Sequence, residues 1–187
     1  MNRRSALLLV LGATLSASAC TTAHYDGRVA AQWASAPYTL ASGDKLRIIV
    51  FGQDTLSNIY AVDGAGRISM PLIGPVQVAG RSTSDAAQAI EAKLRAGFLR
   101  EPRVTVEVDS YRPFFVLGEV TNSGQFPFVN GMTVQTAVAI AGGFTPRALR
   151  TSAEITRQTA QGPVSAKVPV TYAVRPGDTI VIGERWF

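Results

Sequence analysis

The position of Cys20, the only cysteine, decides which part of this chain is available to fold. Two arginines, Arg3 and Arg4, precede an apolar run over residues 6–15, and small residues then lead to the cysteine. A basic start, a short apolar run and small residues before the cut are typical of a secretory signal peptide. The apolar run is shorter than the about 20 residues that a membrane-spanning helix needs. We therefore predict that residues 1–19 are a signal peptide.

A cysteine directly after such a segment predicts a lipid anchor. Its thiol would accept diacylglycerol and the new N-terminus would then be acylated, and several acyl chains together give stable membrane attachment. Ala17 stands where the lipoprotein pattern has an aliphatic residue, so an ordinary cut near Ala19 with an unmodified thiol is the alternative. Thr21 is not the aspartate of an inner-membrane retention signal. We expect residues 20–37 to be a lipidated tether, whose lipid on Cys20 anchors the protein in the outer membrane, facing the periplasm.

The composition of the remaining 168 of the 187 residues indicates folded domains. Hydrophobic residues make up 47% of the chain, enough for one ordinary domain or two small ones. The 18 basic residues exceed the 13 acidic ones, but they are scattered, and two of them leave with the signal peptide. A nucleic-acid partner is therefore not expected. If Cys20 is lipidated, no disulfide forms within the chain, and stability has to come from packed cores.

Residues 38–110 have the pattern of a small α+β domain. Apolar residues over 46–51 predict a strand that is buried on both faces or nearly so. The sequence Asp63-Gly64-Ala65-Gly66 separates two further strand-like runs at 60–62 and 67–70. An Asp-Gly pair between such runs favours a tight turn, so we predict that these two strands form a hairpin.

One helix is expected within this first domain. Ser82 and Asp85 have the spacing of a capping box, and Gly97 marks the end of the helical pattern. Apolar residues at spacings of three and four predict its buried face. They are Ala86, Ala87, Ile90, Leu94 and Phe98. A half-exposed strand over 104–108 follows.

Residues 111–187 predict a second domain with a different order of elements. Strands are expected at 114–117, 125–129, 152–158, 164–170 and 179–182, the first ending at Gly118. Between the second and third strands, Thr133 can cap a short helix that Gly142-Gly143 stops. Two strands, a helix and further strands are the order of a β-grasp domain. The predicted fold class is therefore α+β, with two domains in sequence.

A short sequence occurs once in each predicted domain. Gly43-Asp44 and Gly177-Asp178 both stand directly before an apolar strand. Gly permits a tight turn, and an aspartate side chain can accept hydrogen bonds from nearby backbone N–H groups, so we interpret both as structural turns. Catalytic acids or metal ligands are the alternative function of the two aspartates.

Residue types that carry chemistry are sparse. His24, the only histidine, lies in the predicted tether, which leaves no histidine for a nucleophilic catalytic set or a zinc site in the folded part. No phosphate-binding glycine loop is present. A carboxylate pair for glycoside hydrolysis is the remaining catalytic alternative. Its candidates are Glu91, Glu101, Glu107, Asp109, Glu119 and Glu154. We predict no enzyme activity, no cofactor and no metal.

Several segments, taken in order, resemble one bacterial family. YTLASGDKL at 38–46, YAVDGAGRI at 60–68 and PLIG at 71–74 resemble the polysaccharide-export domain of capsule and exopolysaccharide export lipoproteins. FVLGEV at 115–120 and AGGFT at 141–145 resemble the soluble-ligand-binding β-grasp (SLBB) domain of the same proteins. Gly124, the pair Thr133-Val134 and PGD at 176–178 extend this second resemblance.

This resemblance implies a non-catalytic protein of the outer membrane. Family members form a ring of identical subunits around a periplasmic passage for polysaccharide. The usual partner is an inner-membrane polysaccharide co-polymerase, often with a tyrosine-kinase part. Larger members continue into a membrane-crossing helix, whereas only five residues follow the last predicted strand here, too few to cross about 30 Å of hydrocarbon. A separate outer-membrane pore is therefore an expected partner.

The C-terminal residues Arg185, Trp186 and Phe187 allow two interpretations. They could pack into the core of their own subunit, or they could dock on a neighbouring subunit or a pore, as aromatic anchors often do. Two further alternatives concern the whole protein. It could be a glycan-binding envelope adaptor without a channel, or an enzyme that modifies envelope polysaccharide.

Overall fold

Two separate hydrophobic cores divide the part of the chain that the structure describes. The computed structural model describes residues 27–159 and 161–186. The predictions made for residues 1–19, for Cys20 and for Phe187 concern positions outside the described residues. One core belongs to the first predicted domain and the other to the second, with one helix that precedes the first domain also packed on the second core.

The first domain is built from five strands and one helix. In chain order these are β1 Lys45–Val50, β2 Asn58–Ala61, β3 Arg67–Met70, β4 Gly74–Gln77, α2 Thr83–Arg95 and β5 Val104–Ser110, with α1 Gly27–Ser35 preceding them. An antiparallel sheet has the order β2-β1-β5, and β3 and β4 form a separate hairpin. Helix α2 lies against β5. The core therefore lies between the sheet, the hairpin and the helix.

Helix α2 begins at the predicted capping box. Ser82 Oγ accepts the N–H of Asp85, and the Asp85 carboxylate accepts the N–H of Ser82. The Ser82 hydroxyl also donates to the Asp85 carboxylate at 2.7 Å, and this bond, together with the one from the Ser82 N–H, lowers the pKa of Asp85. Ala86, Ile90 and Leu94 are buried as predicted. Phe98, which the same periodicity placed on the buried face, is 51% exposed because the helix has already ended at Arg95.

The predicted hairpin around Asp63-Gly64 is wrong in its strand pairing. The turn exists, since Asp63 Oδ1 accepts the N–H groups of Ala65 and Arg67. However, β2 pairs with β1 and β3 pairs with β4, so the turn carries the chain from one sheet to the other. Turn residues determine only the local change of direction, whereas each strand pairs with the neighbour that satisfies its backbone groups.

Strand β1 is buried on one face only, which also corrects the prediction. Leu46, Ile48 and Val50 point into the core, whereas Ile49 is 47% exposed and Phe51, just beyond the strand, is 82% exposed. The core-facing side of the sheet is covered by the rest of the domain. No described residue of this chain buries the apolar side chains on the other face.

The second domain has the β-grasp arrangement. Its elements are β6 Phe114–Gly118, β7 Gly124–Phe126, α3 Val134–Ile140, β8 Ser152–Thr159, β9 Gly162–Pro169 and β10 Thr179–Ile182. The sheet order is β7-β6-β10-β8-β9, and β6 and β10 are parallel neighbours at its centre. Thr133 caps α3, whose Val134, Ala137 and Val138 are buried. The predicted α+β fold class is confirmed.

Helix α1 occupies part of the segment that was predicted to be a tether. Trp33 is only 8% exposed and belongs to the core of the second domain, not the first. The guanidinium of Arg157 lies 4.6 Å above the centre of the Trp33 ring, and Tyr172 Oη donates to the carbonyl of Ala30 at 2.8 Å. Burial of one large aromatic side chain holds this short helix on the domain that follows later in the chain.

Over the ranges 27–159 and 161–186, no helix is both long and apolar enough to cross a bilayer.

Candidate functional site

The two Gly-Asp sequences form equivalent turns. Asp44 is fully buried, and its Oδ2 accepts the N–H of Ala41, three residues earlier, at 2.9 Å. The N–H of Asp44 donates back to the carbonyl of Ala41 at 3.2 Å. Asp178 is also fully buried and makes the same pair of bonds with Arg175, at 2.8 and 3.1 Å. Each carboxylate therefore closes the turn that starts its strand.

Each buried aspartate also binds an arginine that is distant in sequence. Asp178 accepts two hydrogen bonds from Arg157, from Nε at 2.8 Å and from Nη2 at 2.7 Å. Asp44 accepts the backbone N–H of Arg112 at 3.0 Å, and Arg112 Nη1 lies 3.4 Å from Asp44 Oδ2. The Asp44–Arg112 pair crosses the boundary between the two domains. A buried carboxylate needs such partners, because an unpaired buried charge is strongly unfavourable.

Arg112 lies between the two turns. A methyl group added to Gly43 would lie 3.3 Å from Arg112 Cβ, and one added to Gly177 would lie 2.6 Å from Arg112 Nε. Both glycines also have positive φ, +92° and +83°, which L side chains rarely adopt. The two Gly-Asp turns, which are far apart in the sequence, thus lie close together around one arginine at the domain boundary.

Tyr38 completes this boundary cluster. Its hydroxyl donates to Asp44 Oδ2 at 2.5 Å, and Arg112 Nη1 donates to that hydroxyl at 3.1 Å. Burial, followed by the hydrogen bond to Asp44, raises the pKa of Tyr38 well above its ordinary value. The Tyr38 ring also meets Tyr111 edge-on, with 5.1 Å between ring centres. The hydroxyl therefore stays protonated and serves as a hydrogen-bond donor.

This geometry supports a structural role for the two aspartates. Their oxygens are occupied by backbone N–H groups, arginines and, for Asp44, a tyrosine hydroxyl. Throughout the described part of the chain, no three His, Cys, Asp or Glu side chains come together as a metal site would require. The arrangement can hold two domains in a defined orientation, but it offers no carboxylate with a free position for a reacting group.

A cleft of about 630 Å³ opens beside this cluster. The first domain and its leading segment contribute residues 37–42, Ala79 and Gly80, and the second domain contributes Arg112, residues 157–159 and residues 175–177. Three arginines, Arg112, Arg157 and Arg175, therefore line one cleft. Burial, together with the neighbouring Arg157, lowers the pKa of Arg175. The cleft is basic, and both domains form it.

The other notable surfaces are apolar and exposed. Ile49, Phe51 and Ile59 lie at the outer face of the first-domain sheet, with exposures of 47%, 82% and 46%. We call these three residues the first-domain surface. Phe115 and Leu117 alternate with buried residues of β6, so they share the outer face of the β-grasp sheet. Trp186 lines a shallow pocket with Val181, the β10 residue that pairs with Leu117, and we call Phe115, Leu117 and Trp186 the second-domain surface.

The remaining site residues predicted from the sequence lie at element ends and turns. Gly64 and Gly66 belong to the Asp63 turn, Gly118 is the last residue of β6, and Gly142-Gly143 follow the end of α3. Trp186 is 87% exposed, and the backbone N–H of the neighbouring Arg185 donates to the carbonyl of Arg147 at 2.9 Å. Trp186 therefore lies outside both cores.

Sequence reasoning missed the three arginines of the cleft. Nothing in the local sequence around Arg112, Arg157 or Arg175 distinguishes them from the other basic residues. The repeated Gly-Asp pattern was the available signal, because a buried aspartate at each turn requires a cation that is supplied from elsewhere in the chain.

Comparison with known families agrees with the two-domain architecture. Residues 33–109 match the family described as polysaccharide biosynthesis/export protein, and residues 113–168 match the SLBB domain. The first match starts at Trp33, inside α1, and ends within β5. The second starts just before β6. Arg112 thus lies between the two matched segments.

Two curated proteins illustrate what the chain is similar to. The exopolysaccharide production protein ExoF of Rhizobium meliloti (strain 1021) is 33% identical over 147 residues, which cover 72% of this chain and 32% of that protein. The polysialic acid transport protein KpsD of Escherichia coli is 29% identical over 111 residues, which cover 58% of this chain and 20% of that protein. The chain thus spans about a third and about a fifth of the length of these relatives. With an export domain followed by an SLBB domain, the chain belongs to the polysaccharide export protein family.

Proposed function

We propose that this protein is a subunit of a periplasmic ring that conducts capsular or extracellular polysaccharide toward and across the outer membrane. The observation that carries the proposal is the match to an export domain over 33–109 followed directly by an SLBB domain over 113–168. The names of the relatives, exopolysaccharide production and polysialic acid transport, support the same substrate class. The lipid on Cys20 anchors each subunit to the outer membrane.

The exposed apolar side chains support assembly into a ring. A closed ring requires two different surfaces on each subunit, one that contacts the preceding subunit and one that contacts the next. The first-domain surface and the second-domain surface are two such candidates on separate domains. Apolar patches of this kind on a folded protein commonly mark interaction sites. In the ring, each subunit's first-domain surface packs against a neighbour.

Transport by this ring needs no catalytic step from the subunit itself. The two buried aspartates are occupied by structural hydrogen bonds, which supports a conduit rather than an enzyme. The co-polymerase of the inner membrane, often joined to a tyrosine kinase, delivers the polymer to the ring. A separate outer-membrane pore completes the route.

Electron microscopy of the detergent-extracted protein tests this proposal. We expect a large particle with rotational symmetry, and we expect Phe51→Asp to break it into subunits because a charge enters the first-domain surface. Phe98→Asp is the matched control, since Phe98 is also a large exposed apolar residue but follows α2 and does not belong to the first-domain surface. A monomer that retains labelled glycan would favour the adaptor function. Shortening of the polymer by the purified protein would favour an enzyme.

A further inference from the structure

We propose that the arginine-lined cleft between the two domains binds the carboxylate of an acidic sugar unit. The saccharide part of this inference rests on the proposed function in polysaccharide export. The anionic part rests on the charges, the burial and the hydrogen bonds of the cleft itself.

The charges in and around the cleft do not balance. Asp44 pairs with Arg112 and Asp178 pairs with Arg157, at closest distances of 3.4 and 2.7 Å. Arg175 has no such carboxylate among the described residues. Its Nη2 donates instead to the carbonyl of Ala36 at 2.5 Å. Three guanidinium groups thus face two carboxylates, and one positive charge is left for a ligand to neutralise.

Arg157 provides a second and independent observation. This residue is only 8% exposed, and its Nη1 is buried without a hydrogen-bond acceptor from residues 27–159 or 161–186. Its other two nitrogens are held by Asp178, and its guanidinium plane rests over the Trp33 ring. A buried donor without an acceptor is costly, and Arg157 is one of the residues that line the cleft. The side chain is therefore fixed at the wall of the cleft, with a positive charge and one donor that the described residues leave unpaired.

The rest of the cleft fits a sugar better than a bare ion. Hydroxyl and amide side chains line it beside the arginines, from Thr39, Ser42, Gln158 and Thr159. Its volume of about 630 Å³ lies within the range of about 300–1,000 Å³ that is usual for small-ligand pockets. Arginine forks match the planar geometry of a carboxylate, and the neighbouring hydroxyl and amide groups can pair with sugar hydroxyls. We therefore assign a carboxylated saccharide as the ligand.

Both domains line the cleft, so a bound sugar would also favour one orientation of the domains. The first domain contributes Thr39 and Ser42, and the second contributes the arginines. Ligand binding to the folded state then raises the melting temperature of the protein, because the unfolded chain has no cleft.

The test compares D-glucuronate with D-glucose, which has the same ring but no carboxylate, and with inorganic phosphate. Titration calorimetry and thermal melting of the purified protein are the measurements. We expect glucuronate to bind and to raise the melting temperature. Glucose should bind at least about tenfold more weakly, since it lacks the charged acceptor for the arginines. Phosphate should also bind more weakly, because it has no sugar hydroxyls to pair with the hydroxyl and amide side chains of the cleft. Arg175→Gln should weaken glucuronate binding by about tenfold or more. Arg100→Gln, the same change at an exposed arginine outside the cleft, should leave binding unchanged.

Three outcomes would overturn this inference. If glucose binds as tightly as glucuronate, binding does not need a carboxylate. If phosphate binds as tightly as glucuronate, the ligand need not be a saccharide. If Arg100→Gln weakens binding as much as Arg175→Gln, the cleft is not the binding site. The wild-type comparison of the three probes decides the question even if Arg175→Gln folds poorly. Failure of glucuronate binding in a protein that still forms rings would contradict the cleft but not the proposed function. A monomer that binds glucuronate would contradict the proposed ring but not the cleft as a binding site.

Discussion

Gly177 of the second domain lies against Arg112, so closely that a methyl group on Gly177 would lie 2.6 Å from Arg112 Nε. The same arginine pairs with Asp44 of the first domain. One side chain therefore connects a turn in each domain, and the missing side chain of Gly177 is what leaves room for it. The close approach at Gly177 thus leaves Arg112 free to pair with Asp44 across the domain boundary.

Gly177→Ala should therefore destabilise the protein by more than backbone strain alone. The φ of +83° and the contact with Arg112 together should lower the free energy of unfolding by more than about 2 kcal/mol. Gly52→Ala is the control, because Gly52 has a φ of +72° but nothing within 4 Å of an added methyl group. We expect it to cost about 1 kcal/mol. Equal losses in urea denaturation would mean that Arg112 moves aside freely.

Asp44→Ala should be among the most damaging single changes. It removes a fully buried carboxylate and leaves Arg112, the N–H of Ala41 and the hydroxyl of Tyr38 without their acceptor. Breaking a buried charge pair in this way costs about 3–5 kcal/mol. Asp54→Ala, at an exposed turn, should change stability by less than about 0.5 kcal/mol. Chemical denaturation of both variants checks this, and a loss below about 1 kcal/mol for Asp44→Ala would contradict the role of the pair.

Trp33→Ala should loosen α1 from the second domain. Trp33 is almost fully buried, and removal of a buried tryptophan side chain costs about 3–5 kcal/mol. Trp186→Ala offers a control with the same change at a residue that is 87% exposed, where we expect less than about 0.5 kcal/mol. Thermal melting and proteolysis near residue 27 are the measurements. If the two variants melt alike, α1 is not held by its tryptophan.

Deletion of residues 185–187 should leave the subunit folded but weaken its association with a neighbour or a pore. Trp186 is exposed, and the backbone bond from Arg185 to Arg147 is a small loss at the chain end. Circular dichroism and the melting temperature should change little, whereas sedimentation should show smaller assemblies and polysaccharide export should fall. Unfolding of the isolated subunit would instead place these residues in its core.

Cys20→Ser should abolish lipid attachment, because serine lacks the thiol that accepts diacylglycerol. The protein should then accumulate as uncleaved precursor or as soluble periplasmic material. Incorporation of labelled palmitate measures this directly. Equal labelling of the wild type and of Cys20→Ser would contradict the lipoprotein prediction.

Features that depend on a few neighbouring residues were predictable from the sequence. The capping box at Ser82, the helix cap at Thr133 and the turns at Gly43-Asp44 and Gly177-Asp178 all form through bonds within four residues. For such features the residue types and their spacing already define the geometry. The alternation of apolar residues likewise located most strands, because one side of each strand faces a core.

The tertiary structure alone decided which distant groups meet. The turn at Asp63 was visible in the sequence, but the partners of β2 and β3 were not, because backbone pairing is open to any strand that the fold brings near. Likewise, the sequence shows two aspartates at turns before strands, but only the fold buries them and selects Arg112 for Asp44 and Arg157 for Asp178. Charge pairing and backbone hydrogen bonding do not depend on how far apart two residues lie in the sequence. The basic cleft between the domains therefore exists only once both domains have packed.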